Sequence, residues 1–499
     1  MENRVETAER QPETRSWWRA TDAPQPVGSY AEHFSPFVSL LAALFLIASL
    51  ASVVWLSASV PKLDRMEAPE RALARMVGRT MDAQVGLRRA PAWKQQLLGW
   101  ISGDETVERI QAIEWYGELA ETSEDPVVQL ELAILRAESG QKSEPLLIAE
   151  AWEQREAPFP RFAALIRAAY GDPGALDHER LDLEQADAAE LLPAGWFYER
   201  LAGRLAERAG NVPLLETIRQ SAAMRADKIF AFSWNLTVIE LFAMLVGTLV
   251  LIQVWRSRNT PDGFLRLHRI GVPPPWPGGV GAAVLLRGGA IGAILTAIFL
   301  VYLPPENTSL RALAIPMTNV PLLLLAYHHL FRPSGMNFVE GFGLNVSWRR
   351  GGHLAAAVLA VVAAGLWGEW VMERVSEHWH WTSHWTEWFD ADLVWGSSGQ
   401  TFVSLVEYVV FAPIFEELAF RGLLFAILRR KFRFLPAALI SAGIFGIAHG
   451  YGMVGLISVC WSGVLWAWIY EKTGSLLPGM LAHSINNLLV CLAVMALLR

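Results

Sequence analysis

Apolar residues gather into runs that recur along most of the chain, near 37–60, 229–255, 279–303, 309–331, 353–373, 401–428, 434–452, 453–470 and 475–498. Crossing ~30 Å of hydrocarbon takes about 20 helical residues, so the set predicts about nine membrane spans. Between the first two runs the pattern changes to apolar positions recurring on one helical face. Val128, Leu132 and Leu135 follow Asp125-Pro126, and Phe197, Leu201 and Leu205 precede Gly210. Helix starts near Asp125, Pro160 and Ala194 are about 34 residues apart, the spacing of tetratricopeptide-like (TPR-like) helix pairs. The consensus aromatic, Leu-Gly and Tyr positions of that repeat are not recognisable, and an irregular helical bundle is an equal alternative. The expected fold class is all-α: a polytopic helical membrane protein with an inserted soluble all-helical domain.

The divisions that follow are a cytoplasmic tail at 1–36, a signal-anchor helix at 37–60 and an extracytoplasmic helical domain at 61–227. Membrane helices at 229–373, a Trp/His-rich outer loop at 374–400 and a C-terminal membrane domain at 401–498 complete the chain. Composition supports this partition. Of 499 residues, 53% are hydrophobic and 18% charged, too apolar for a soluble protein, yet roughly half of the charged residues fall within 61–227. Basic residues cluster after the second run (Arg256, Arg258, Arg266, Arg269), the fourth (Arg332, Arg349, Arg350) and the sixth (Arg429, Arg430, Lys431, Arg433). Such clusters stay cytoplasmic, which puts the N-terminus inside and 61–227 outside, in a cell membrane of the bacterial inner type. A net charge of −7 leaves no nucleic-acid footprint. The two cysteines, Cys460 and Cys491, lie in apolar runs and suggest core residues rather than a disulfide framework.

In the outer loop, His378, His380 and His384 have a spacing that a metal tolerates, but no firm fourth ligand accompanies them. The tryptophans between them, Trp379, Trp381, Trp385 and Trp388, favour an interfacial belt or lid.

Candidate chemistry lies in the last hundred residues. Glu416-Glu417-Leu-Ala-Phe-Arg421, Phe445-Gly-Ile-Ala-His449 and His483-Ser-Ile-Asn-Asn487 each interrupt a membrane span, where ionisable groups cost a few kcal/mol unless paired, solvated or used for chemistry. Glu417 and Arg421 are i, i+4 on one helix, as are His483 and Asn487 on another, so each pair shares a face. This predicts a buried Glu417–Arg421 ion pair that leaves Glu416 free to titrate. Counting 1.5 Å per residue from the cytoplasmic edge puts Glu416, His449 and His483 near mid-membrane. Peptide hydrolysis needs a base, a group that holds the attacking water and donors for the oxyanion. Glu416, His449 and the pair His483/Asn487 supply these in that order.

The ordered trio Glu-Glu-x-x-x-Arg, Phe-x-x-x-His and His-x-x-x-Asn resembles the CPBP family of intramembrane proteases, which includes the CAAX prenyl proteases, bacteriocin-processing proteins and Abi proteins. The resemblance covers roughly 400–490 and no core motif position departs from it; Pro413 and the Phe420-Arg421-Gly422 context match as well. It implies Glu416 as catalytic base, His449 as its partner, His483 and Asn487 as the oxyanion site, and Glu417 and Arg421 in support. The expected substrate is a peptide or membrane-anchored protein, with a protein partner for 61–227 and the lipid bilayer as surroundings. No cofactor is favoured. The alternative is zinc held by Glu416, His449 and His483 with an open position, although no His-Glu-x-x-His helix is present. Two other classes compete: a non-catalytic scaffold on a degenerate protease fold, against which the complete polar set argues, and a proton-coupled transporter, for which no second copy of the 400–498 pattern is seen in 229–373.

Overall fold

The structure is a computed structural model that describes residues 23–30, 34–59, 62–63, 66–101, 105–171, 178–257, 265–268, 270–303, 307–379 and 381–499. Of the tail expected at 1–36, residues 1–22 and 31–33 lie outside the described residues, as do Arg258, Arg269 and His380.

α1 (Pro36–Ser59) leads into a helical domain of α2 (Pro69–Arg89), α3 (Ala92–Ile101), α4 (Glu105–Thr122), α5 (Val127–Glu138), α6 (Ser143–Trp152), α7 (Phe159–Tyr170), α8 (His178–Leu191) and α9 (Trp196–Arg208). The expected helix starts fall within two residues of α5, α7 and α9. Asp125 accepts from the Val127 amide at 2.9 Å and so opens α5. Gly140 (φ 93°) and Gly210 (φ 69°) end α5 and α9 in the left-handed region that favours glycine. Val128, Leu132, Leu135, Phe197, Leu201 and Leu205 are all buried in one core.

α10 (Val212–Arg256) is a single helix of 45 residues. The boundary expected at 227/229 falls inside it. Its first half belongs to the inserted domain, where Arg225 bonds Asp82 of α2 at 3.0 Å and Glu199 of α9, and Gly86 lets α2 approach Ala226. Its second half packs on α14, where Gly247 lies against the Leu359 carbonyl. Helix geometry imposes this continuity, since no glycine or proline interrupts 214–246.

The remaining helices are α11 (Gly278–Tyr302), α12 (Thr308–Ala326), α13 (Phe338–Gly341), α14 (Gly351–Trp379), α15 (Ala391–Val394), α16 (Ser398–Val406), α17 (Ala412–Glu416), α18 (Ala426–Arg429), α19 (Phe434–His449), α20 (Met453–Thr473) and α21 (Leu477–Leu498). Seven helical stretches among the described residues are long and apolar enough to cross a membrane: those of α1, α10, α11, α12, α14, α20 and α21. The other two expected spans differ from a regular 20-residue helix. α19 has only 16 residues, and the run at 401–428 is divided into α16, α17 and α18 by π-helical segments at Glu407–Phe411 and Glu417–Phe425.

The bundle has two distinguishable ends. At one, Arg350 donates to the carbonyls of Arg266 and Leu267, Arg430 to those of Pro274 and Pro24, and Arg429 pairs with Glu471. Most of the expected basic clusters gather there. At the other end the loop 381–397 and the last turns of α21 join the inserted domain: Trp385, Leu393, Val394, Cys491, Val494 and Leu498 share its hydrophobic core.

Candidate active site

The site begins with a proline. In the π segment Glu407–Phe411, the Ala412 amide donates to Glu407 five residues back. The next amide, which would bond Tyr408, is missing because residue 413 is proline. The Tyr408 carbonyl therefore has no helical donor, and it accepts from Asn487 Nδ2 at 2.9 Å. Such π bulges sit preferentially at functional sites.

Glu417 and Arg421 lie in the second π segment and both are fully buried, joined at 2.9 Å. The guanidinium lies over the rings of Phe445 (4.2 Å) and Trp466 (4.8 Å), which offers it a cation–π environment in place of water. Two glycines leave room for these charges: a Cβ at Gly463 would stand 2.8 Å from Arg421 Nη2, and one at Gly479 would stand 3.2 Å from Glu417 Oε2. Gly422 is equally constrained, since the Phe342 ring lies 2.5 Å from where its Cβ would be.

His483 bridges the two acids. Its Nδ1 is 3.5 Å from Glu417 Oε1 and its Nε2 is 3.8 Å from Glu416 Oε2, while its ring stacks on Trp466 at 3.9 Å and 18°. Glu416 keeps 27% of its side chain exposed, whereas Glu417 keeps none. The carboxylates thus have different surroundings although they are adjacent in sequence. The separations from His483 exceed hydrogen-bond length, and Glu417 Oε2 and His483 Nδ1 have no hydrogen-bond partner. Catalytic contacts are often long in the free enzyme and tighten with substrate.

His449 is the last residue of α19, and Gly450 (φ 67°) ends the helix. Its Nδ1 lies 2.8 Å from the Phe445 carbonyl, an arrangement that needs a proton on Nδ1 and leaves Nε2 as an acceptor. His449 stands at the end of α19 that meets the outer loop, three residues before the Gly452 amide that Glu387 holds. It shares the Phe445 ring with His483, at 4.6 Å and 6.3 Å between centroids. Among the described residues, no three His, Cys, Asp or Glu side chains converge as a metal site. Glu416, His449 and His483 are not gathered into such a group. In the outer loop, His384 contacts Thr386 and reaches Glu118 of α4 at 3.2 Å.

The outer loop holds the site from both sides. Glu387 accepts from the Gly452 amide at the start of α20 and pairs with Lys62, pinning the turn that follows His449. Asp390 accepts from the Tyr408 hydroxyl at 2.7 Å, in the residue whose carbonyl holds Asn487. Sequence reasoning passed over both acids because the contacts join residues far apart in the chain. Trp466, against His483 and under Arg421, is a wall of the site.

Residues 398–489 match the family described as type II CAAX prenyl endopeptidase Rce1-like. The inserted domain and the helices before α16 lie outside the matched segment. No curated protein and no solved structure matches the chain.

Proposed function

Because the chain belongs, through residues 398–489, to the CPBP family of intramembrane proteases, we propose that it is a working endopeptidase that cleaves a membrane-associated protein or peptide. The observation that carries this reading is His483 poised between Glu416 and Glu417 at 3.8 and 3.5 Å on the face of Trp466. A scaffold that had lost its chemistry has no need of that constellation.

In this reading Glu416, the more exposed acid, takes a proton from water. The free Nε2 of His449 orients that water, since its Nδ1 is committed to the Phe445 carbonyl. As the hydroxide adds to the peptide carbonyl, negative charge develops on the oxygen. The Nε2–H of His483 and the second amide proton of Asn487 stabilise it, the first amide proton being held by Tyr408. Glu416 then returns its proton to the leaving amine. Glu417 and Arg421 form a rigid, internally neutral base under His483. No metal takes part in this scheme.

A prenylated CAAX terminus is the substrate class that the family description carries; any segment delivered from the bilayer to Glu416 satisfies the same chemistry. The arginines at one end of the bundle support a cytoplasmic location for that end, with the inserted domain outside, where it recruits or presents a partner.

The test compares purified wild type with Glu416→Gln on a mixed peptide pool in liposomes, each with and without chelator. Products made by wild type alone are expected, with no effect of chelator. Equal silence from both proteins on a pool that includes prenylated peptides favours the scaffold, and loss of products on chelation favours the zinc alternative.

A further inference from the structure

The inserted domain turns one tryptophan-bearing edge away from its own core. On α3, Gln95 and Leu98 face inward: Gln95 Nε2 donates to the carbonyls of Ala90 (2.7 Å) and Arg88 (3.1 Å), closing the end of α2, and Leu98 is buried. Trp93, Gln96 and Trp100, at i, i+3 and i+7, share the opposite side. The two indoles are 57% and 56% exposed.

That edge leads directly onto the membrane helices. Trp93 meets Trp234 of α10 edge-on at 5.3 Å, and Trp100 meets Trp370 of α14 at 5.4 Å. Trp370 donates its indole N–H to the Trp100 carbonyl at 3.5 Å. Lys94 lies over the Trp234 ring at 4.2 Å. Val238, Ile239 and Phe242 of α10 and Val371 of α14 are all exposed, as expected of spans that face lipid. α3 therefore extends the lipid-facing surface of α10 and α14 into the inserted domain.

Indoles favour the headgroup level of a bilayer, where the ring is half in hydrocarbon and its N–H finds water or phosphate. A lysine beside them suits the same layer, its stem lying on apolar surface and its ammonium reaching the phosphates. We propose that α3 is a lipid-contacting helix, with its Trp93/Trp100 edge seated in the interface of the bilayer leaflet on the domain side. The inserted domain then rests on phospholipid as well as on the spans.

The full-length Gln96→Cys protein, labelled with an environment-sensitive fluorophore and placed in phosphatidylcholine/phosphatidylglycerol liposomes, tests this. Lys142→Cys, exposed elsewhere on the domain, is the aqueous reference, and the unsubstituted chain corrects for Cys460 and Cys491. The label at 96 is expected to lose fluorescence to nitroxide carried on shallow lipid positions and to resist aqueous iodide, with the reverse at 142. Adding Trp93→Gln and Trp100→Gln is expected to shift position 96 toward iodide sensitivity. Iodide quenching at 96 in the otherwise unaltered chain overturns the proposal. Resistance to both quenchers overturns it as well, because protein, from a partner or a second copy, then covers the edge.

Discussion

Asn487 reaches across from α21 to the backbone of Tyr408, its Nδ2 donating to that carbonyl at 2.9 Å. A proline makes the contact possible. Residue 413 has no N–H to offer the carbonyl, so the amide that the proposed mechanism uses as an oxyanion donor is oriented by a gap in a helix.

Pro413→Ala supplies the missing N–H and sets it in competition with Asn487. On any peptide that wild type cleaves, kcat is expected to fall while KM stays near its wild-type value. Asn487→Ala is expected to lower kcat by about 10²–10³, the usual effect of removing one oxyanion donor. Adding Pro413→Ala to Asn487→Ala is expected to cost little more, since both act through the same amide. Full multiplication of the two effects removes the proposed link between Pro413 and Asn487.

Glu417 and Arg421 pair without exposure to solvent. Removing one partner strands the other, so Glu417→Leu alone is expected to destabilise by about 3–5 kcal/mol. The double substitution Glu417→Leu/Arg421→Met is expected to regain most of that loss. Glu416→Gln should leave stability near wild type while abolishing cleavage. Denaturation midpoints in detergent separate the cases.

Glu387 places a carboxylate against the Gly452 amide at the N-terminus of α20. A negative group there stabilises the helix by roughly 0.3–1 kcal/mol, and more when partly buried. Glu387→Gln keeps the size but loses the charge and the Lys62 pair. Faster hydrogen exchange of amides 452–456, with little change elsewhere, is the expected result, and an unchanged exchange pattern counts against the pinning role.

In the inserted domain, burial pushes the Glu131 carboxyl up from 4.5 to about 8, with Tyr116 donating to it at 3.1 Å. An acid with a raised pKa holds its proton more tightly folded than unfolded. Its stabilising effect is complete below about pH 4.5 and is lost as pH rises through about 8. Protection of the α4 and α5 amides in the full-length protein, measured by hydrogen exchange relative to the intrinsic base-catalysed rate, should fall over that window, and Glu131→Gln should flatten the response. A wild type with no slope between pH 5 and 9 would falsify the assignment.

Local rules made much of this architecture legible in the sequence. Asp125, Gly140 and Gly210 mark helix ends through interactions of a few residues, and the i, i+4 spacing of Glu417 and Arg421 needs only one helix. The π segments were not legible, because a shift from i→i+4 to i→i+5 bonding changes no hydrophobic pattern. Pro413 was the visible trace of that shift. The role of Trp466 in the site depends on how α20 meets α21, and Glu387 and Asp390 act across loops that no periodicity connects. The continuity of α10 was hidden for another reason: charge falls steeply near residue 228, and a change in surroundings there resembles a domain boundary although the backbone runs straight through.

Leu73 of α2 and Leu498 of α21 belong to one hydrophobic core, and α2 packs on α21. During synthesis, therefore, the inserted domain emerges early but lacks part of its interior until the helices bearing the candidate active site have been made and threaded. Long sequence separation of this kind delays the closing contacts of a fold. The last helix to be made therefore closes two structures at once: α21 brings His483 and Asn487 to the candidate site and Cys491, Val494 and Leu498 to the core of the inserted domain.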